Sequence, residues 1–193
     1  MISEMSILIA GVGGQGTLLT SRILGHVAMA AGYDVKISEV HGMAQRGGSV
    51  VTYVKMGSSI SSPVIEKGTA DLIIAFEELE ALRWLEYLKD GGLLILNTQK
   101  IEPMPVIMRK SAYPENIPEI LKRKNIKTVS ADALGTARTL GNIKTVNAVM
   151  LGIFARVSGI KKELFTEAIM GTVPEKHIKI NLDAFESGYS DGR

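Results

Sequence analysis

"YDVKISEVHGMAQRGGSVVTYVKMG", residues 33 to 57, decides the fold. Two β-like runs, "YDVKISE" (33 to 39) and "SVVTYVKMG" (49 to 57), stand on either side of a short polar loop. The second run is rich in β-branched residues, which suit a pleated surface. Parallel neighbours need a crossover long enough to hold a helix, whereas antiparallel strands can be joined by a loop. Between Glu39 and Val50 there is no room for a helix packed on a sheet. The two strands are therefore expected to run antiparallel, which makes the whole sheet mixed.

On the N-terminal side, "MSILIAGVGGQG" (5 to 16) is a continuous apolar run that stops at glycines. That pattern predicts a buried parallel strand entering a tight turn. A helix is expected from Thr17 to about Ala31, with Leu19, Ile23, Val27 and Ala30 on one face and Gly32 as its stop. On the C-terminal side, "ADLIIAF" (70 to 76) and "LLILN" (93 to 97) read as further buried strands. Between them, "EELEALRWLEYLKDGG" (77 to 92) reads as a helix with acids at its start and a Lys-Asp-Gly-Gly end.

The middle changes character. Pro103, Pro105, Pro114 and Pro118 fall in one segment, which predicts loop and edge strand. Its end, "PEILKRKN" (118 to 125), suits a short helix, and "IKTVSAD" (126 to 132) a last strand. Helices alone are expected beyond Asp132. A short one precedes "TVNAVMLGIFARVSG" (145 to 159), which is apolar nearly all round and so buried. "KKELFTEAIMGTV" (161 to 173) and "PEKHIKINLDAFESG" (174 to 188) follow as amphipathic helices. The expected fold is α/β: a three-layer α/β/α domain with a mostly parallel, mixed sheet and a helical C-terminal part. Residues 1–193 are read as one domain, with a sheet portion over 1–131 and a helical portion over 132–193.

Composition narrows the function. Of 193 residues, 46% are hydrophobic and 22% charged, with a net charge of +2. That is globular composition, and the near-neutral charge argues neither for a nucleic-acid protein nor for a membrane-surface protein, so neither partner is expected. The apolar stretches are too short to span a bilayer. The opening "MISEMSILIA" lacks a basic n-region and a long apolar h-region, so a cytoplasmic location is expected. There are no cysteines, which removes disulfides, thiolate nucleophiles and cysteine-ligated iron–sulfur clusters. His26, His41 and His177 have no metal-ligand spacing, and no metal site is expected.

"GVGGQG" matches G-x-G-x-x-G through Gly11, Gly13 and Gly16, with Gly14 and Gln15 between. Backbone N–H groups at the following helix N-terminus suit a phosphate, a pyrophosphate or a carboxylate. A tight strand–helix turn that only needs small residues gives the same pattern. A dinucleotide site also wants an acid at the end of the second strand, a role open to Glu39 or Asp34. The antiparallel second and third strands break the βαβαβ alternation that such a site requires.

The loop "HGMAQRGGS" (41 to 49) is built for an anion or an interface. Arg46 offers a planar fork of donors, Gly47 and Gly48 free the backbone to form a nest of N–H groups, and Gln45 can read an amide or a hydroxyl. His41 is the candidate proton carrier, although no carboxylate or nucleophile is placed beside it, and Met43 offers an adaptable apolar contact. Asn147 and Asn181 fit buried hydrogen-bonding or capping roles better than ligand contact. Trp84 fits packing or an interface, and "KRKNIK" (122 to 127) a solvated surface.

Four ordered stretches carry a resemblance: "GVGGQGTLLTSRILGHVAMAAGYDV" (11 to 35), "EVHGMAQRGGSVVTYV" (39 to 54), "NIKTVNAVMLG" (142 to 152) and "VPEKHIKINLDAFESG" (173 to 188). Together they resemble the γ-type domain of 2-oxoacid:ferredoxin oxidoreductases, and "GMAQRGGS" looks like the arylpyruvate (indolepyruvate) branch. The resemblance implies decarboxylation of a 2-oxoacid on thiamine diphosphate, electron transfer through iron–sulfur clusters to ferredoxin, and acyl transfer to coenzyme A. It implies that a large partner subunit carries the thiamine diphosphate and the clusters, that this chain binds no cofactor alone, and that ferredoxin is met only indirectly. Gly11, Gly13, Gly14, Gln15, Gly16, Gln45, Arg46, Gly47 and Gly48 would then face the partner's active site, with coenzyme A a candidate at the interface. An apolar surface made for that partner would also let the isolated chain form a homodimer. A stand-alone NAD(P)-binding oxidoreductase and a non-catalytic scaffold are the competing readings.

Overall fold

The computed structural model describes residues 4–41 and 48–191, with only the backbone of His41 and Asp191. Six strands form one sheet: β1 (Glu4–Val12), β2 (Asp34–His41), β3 (Ser49–Gly57), β4 (Ala70–Ala75), β5 (Leu88–Asn97) and β6 (Lys127–Ala131). Their order is β2-β3-β1-β4-β5-β6. β3 runs antiparallel to both of its neighbours, β1 and β2, whereas β1/β4, β4/β5 and β5/β6 are parallel. The mixed, mostly parallel sheet expected from residues 33 to 57 is the one observed. Between them, β2 and β3 leave the connection too short for a crossover, and β3 slots in beside β1 instead.

Both faces of the sheet are covered, which is why its central strands are apolar without interruption. Along β1, Ile7 and Ile9 point into one core while Leu8 and Ala10 point into the other. β4 repeats the alternation with Leu72 and Ile74 against Ile73 and Ala75. The first face carries α1 (Thr17–Ala30), α5 (Ala133–Thr139), α6 (Val146–Ser158), α7 (Lys162–Thr172) and α8 (Glu175–Asp191). The second carries α2 (Glu78–Trp84) and α4 (Ile117–Arg123), with α3 (Met104–Ile107) in the chain between them. Three layers result, as expected.

Local departures have physical reasons. α1 ends as foreseen: Gly32 adopts φ 82°, and the Tyr33 N–H reaches back to the Ala28 carbonyl at 2.9 Å. Its buried face is rotated from the expected one, since Ile23 and Val27 are buried but Leu19 is half-buried and Ala30 exposed, while Thr20, Leu24 and Ala28 are covered. The helix expected over 77–92 stops at Trp84, turns once in 3-10 form over Leu85–Tyr87, and gives way to β5 at Leu88. Leu88 pairs with Ala70, and the register shifts before Leu93, so the Lys-Asp-Gly-Gly run is a bulged strand entrance rather than a helix end. The proline segment holds the single helical turn α3 in place of an edge strand.

The helical portion packs by close backbone approach. α6 is buried continuously from Val146 to Ala155 and crosses α8 where glycines face each other. A Cβ on Gly152 would lie 2.1 Å from the Phe185 carbonyl oxygen, and one on Gly188 2.0 Å from that of Val149. Phe165 then meets Phe154 edge-to-face at 5.9 Å between centroids and stacks on Phe185 at 5.8 Å.

Candidate functional site at the carboxyl ends of the strands

β1 and β4 are neighbours, yet the helix after β1 covers the first face and the helix after β4 covers the second. The carboxyl ends of these strands therefore form the topological switch point, where open α/β sheets take their ligands. The glycine turn sits at this place. Gly13 donates its N–H to the Gly48 carbonyl at 3.0 Å, which ties the turn to the start of β3. Gly14, at φ 101°, is exposed with open space where a Cβ would stand.

Gln15 is a strut. Its Oε1 accepts the Val12 N–H at 2.7 Å, and its Nε2 donates to the Phe76 carbonyl at 3.0 Å and to Gln99 Oε1 at 3.1 Å. One side chain thus joins the ends of three adjacent strands. Asn97, fully buried, works beside it by donating to the Phe76 carbonyl at 2.9 Å and accepting the Ala133 N–H at 3.1 Å.

Gly16 caps α1 in the left-handed region, φ 85°, with no side-chain cap and no acid in the first turn. The partial positive charge of that helix end is left uncompensated. A Cβ on Gly16 would come within 3.2 Å of Asn147 Cβ and Cγ. Asn147 lies in the first turn of α6, is 2% exposed, and its Nδ2 has no hydrogen-bond partner among the described residues. Sequence reading expected it to be buried and satisfied. It is buried, but its donor is left over, and such orphans are rare enough to call for a partner from outside. Asn181, by contrast, behaves as expected, donating to the His177 carbonyl at 2.9 Å within its own helix.

Of the remaining candidates, Gly11 packs within 3.2 Å reach of Gln15, Thr17 and Phe76 where a Cβ would stand. His41 pairs with Val50 at the end of β2. Met43, Gln45, Arg46 and Gly47 lie outside the described residues, while Gly48 bounds the cleft described next. The acids weighed for a dinucleotide ribose both lie on β2, which β3 separates from β1, and Glu39 accepts the Ser21 hydroxyl of α1 at 3.3 Å. Asp34 is at the opposite end of the sheet, in register with Gly57, and accepts the Ile60 N–H at 2.8 Å.

Sequence reading missed the acids that follow β4. It took "EELE" only as favourable charge at a helix start. Glu77, 1% exposed, accepts the Glu80 N–H at 2.9 Å with one oxygen, and the Ile101 N–H at 3.0 Å and the Tyr113 hydroxyl with the other. Burial, reinforced by Glu77, pushes the Tyr113 phenol well above its usual value. Glu80, also buried, accepts from the Ser49 hydroxyl and from Trp84 Nε1 at 3.3 Å, and pairs with Arg83 Nε at 3.3 Å. Burial holds the Glu80 carboxyl above the ordinary carboxylate range, against the opposing pull of Ser49 and Arg83. Above these groups opens a cleft of about 500 Å³, walled by Val12, Ser49, Leu79, Ile101 and the proline segment from Pro103 to Pro114. The only hint in the sequence was acids directly after a buried strand, followed by clustered prolines.

Fold and strand-end geometry define a doubly wound α/β domain with a glycine-rich turn at its switch point. Residues 6–190 match the family model described as pyruvate ferredoxin/flavodoxin oxidoreductase, and the chain belongs to that family. It is 41% identical over 192 residues to the indolepyruvate oxidoreductase subunit IorB of Pyrococcus horikoshii, a match covering 97% of this chain and 95% of that one. The fold is shared with the γ subunit of a keto/oxoacid ferredoxin oxidoreductase from Geobacter sulfurreducens, with a TM-score of 0.73, 22% identity, and coverage of 97% and 98%. It is also shared with a 2-oxoglutarate:ferredoxin oxidoreductase from Magnetococcus marinus that has 2-oxoglutarate, coenzyme A and succinyl-CoA bound. That match has a TM-score of 0.75 and 19% identity, covering all of this chain and 31% of the other.

Proposed function

We propose that this chain is the small subunit of an indolepyruvate-type 2-oxoacid:ferredoxin oxidoreductase, and that its glycine turn holds an anionic group of a ligand against a large partner subunit. The observation that carries the site is the buried Asn147 Nδ2 against Gly16, without a hydrogen-bond partner among the described residues, at a helix N-terminus with no side-chain cap and no acid in its first turn. A phosphate of coenzyme A or the carboxylate of the oxoacid supplies what that end lacks, an oxygen acceptor with negative charge. Gly13, Gly14 and Gly16 keep the backbone open to it, and Gln15 fixes the turn to β4 and β5; Gln45, Arg46 and Gly47, outside the described residues, are proposed for the same anion on the chemistry of their side chains and backbone alone. The 41% identity to an indolepyruvate oxidoreductase subunit supports the arylpyruvate branch.

The chain has no cysteine with which to hold an iron–sulfur cluster, and no group of His, Asp or Glu among the described residues could hold a metal ion. Clusters and thiamine diphosphate belong, in this reading, to the partner, where they supply electron transfer and decarboxylation. This chain binds, orients and excludes water. No helix among the described residues is long and apolar enough to cross a membrane, and the reading places the complex in the cytoplasm.

Anaerobic co-purification of the full chain with its partner tests this, with iron and thiamine diphosphate assayed in the complex. Ferredoxin reduction is then followed with indolepyruvate plus coenzyme A, and again after Asn147→Ala. Expected are an iron-rich partner, arylpyruvate-dependent reduction, and a raised KM for coenzyme A or the oxoacid with assembly intact. Activity confined to pyruvate would overturn the branch. Unchanged KM values for both ligands would return the chain to a scaffold. Stoichiometric NAD(P)H binding to the isolated chain would favour a stand-alone dehydrogenase.

A further inference from the structure

Gln99 stands just beyond the end of β5, half-buried, with its backbone carbonyl accepting the Glu78 N–H at 3.0 Å. Its side-chain amide is oriented by two backbone N–H groups that it does not itself touch. The Val12 N–H donates to Gln15 Oε1, so Gln15 turns its Nε2 toward the Phe76 carbonyl and Gln99. The Ala133 N–H donates to Asn97 Oδ1, so Asn97 turns its Nδ2 toward the same two groups. Gln99 therefore meets two donors, Gln15 Nε2 at 3.1 Å and Asn97 Nδ2 at 3.3 Å, and must present its Oε1 to both. The reverse orientation would set N–H against N–H. Gln15 and Asn97 have each spent both amide hydrogens, and Gln99 Oε1 both lone pairs. What this network leaves over is Gln99 Nε2, which has no hydrogen-bond partner among the described residues.

An unconstrained glutamine offers a donor and an acceptor together and distinguishes little. Held in this way, Gln99 offers a donor alone. It does so at the strand ends that carry the glycine turn, to which Gln15 ties it. The next residue of that turn, Gly16, abuts Asn147, whose Nδ2 is the other amide donor without a partner among the described residues. Adjacent residues of one turn thus lead to leftover donors beyond β5 and in α6. We propose that Gln99 is a specificity-determining residue of this site, its Nε2 donating to an oxygen of the bound group that carries no hydrogen. A group that only donates, such as an ammonium, is turned away there. The proposal deepens the reading of the glycine turn as an anion site and rests on it.

Two variants separate binding from support. Gln99→Glu keeps an oxygen toward Gln15 and Asn97 and replaces the outward donor with a negative acceptor. Gln99→Met removes both functions. Thermal melts should rank Gln99→Glu near the parent and Gln99→Met below it, because only the second strands the two inward donors. Ferredoxin reduction by the assembled enzyme, with coenzyme A and indolepyruvate varied in turn, should give the opposite order. Gln99→Met should raise one KM at least about tenfold, as loss of a hydrogen bond to a charged group does, and Gln99→Glu should raise the same KM further. As pH falls toward the ordinary carboxylate range, the introduced carboxyl takes up a proton and donates again, so the Gln99→Glu deficit should narrow while that of Gln99→Met does not. The same order in both readouts, with Gln99→Met the worse, would reduce Gln99 to a structural prop and overturn the proposal. A Gln99→Glu chain that fails to fold would overturn the amide orientation and the proposal with it. A KM raised by Asn147→Ala but by neither Gln99 variant would overturn the proposal and leave the anion site standing, whereas silence of all three variants would remove both.

Discussion

At Glu77 a single carboxylate collects three donors from three parts of the chain: the Glu80 N–H, the Ile101 N–H and the Tyr113 hydroxyl. Removing it strands buried donors, each costing about 1–3 kcal/mol when left unpaired. Glu77→Ala should therefore lower stability by at least about 2 kcal/mol by the same reasoning, and the strap from 101 to 113 should become the first site of proteolysis. Denaturant melts and limited digestion check this, and an unchanged digestion pattern would show that the strap is held by packing alone. Glu78 is the opposite case. Its Oε2 is buried without a hydrogen bond among the described residues, and Lys100 Nζ stands 3.7 Å away, an ion pair too long to be one. Burial raises its carboxyl above the usual value, Lys100 opposes this, and Glu77 adds to it. The folded chain thus keeps a proton that the unfolded chain has released, so stability falls as pH rises from the ordinary carboxylate value through the raised one. Glu78→Gln should remove that slope: its advantage over the parent grows with pH across this window and is absent below it. A parent–variant difference that stays flat with pH would eliminate burial of charge as the cause.

Elements set by local pattern were legible, and those set by distant partners were not. β3 matches its reading of 49 to 57, and α1 stops at Gly32 because the left-handed turn there is a local choice. The helix over 77–92 failed because Leu88 finds Ala70 and Lys89 finds Asp71, contacts with a strand far away in sequence. The proline segment likewise could be read as irregular but not as a wall, since its shape depends on Glu77. The contact between α6 and α8 was invisible too, because glycines inside two apolar helices do not announce that they face each other. Gly188→Ala would put a methyl group 2.0 Å from the Val149 carbonyl oxygen. It should cost about 1–3 kcal/mol, as overpacking does, and should lower the melting temperature far more than Gly171→Ala, where nothing lies within 4 Å. Equal effects at the two glycines would mean that helix propensity, not the crossing, is what matters.

On the scale of the whole molecule, one core runs without a break from Ile7 and Ile9 in β1 to Phe185 in α8. We infer that the sheet portion (1–131) and the helical portion (132–193) unfold together. Circular dichroism and Trp84 fluorescence, which reports the second face alone, should give one coincident transition in urea. An earlier helical transition would divide the chain into two units. What the sequence determined by itself were the features with short-range causes: locally patterned elements such as β3 and the end of α1, the antiparallel β2–β3 pair, the glycine turn after β1, and the four stretches that signalled the family. These follow from side-chain periodicity, turn chemistry and the length of one loop, all of which act between near neighbours. Tertiary structure alone decided which donors and acceptors meet. Gln15 became a strut, Asn147 kept an N–H with no partner among the described residues beside Gly16, and Glu77 pinned a proline strap over a cleft, because each depends on groups brought together from 24 to 131 positions away in the chain.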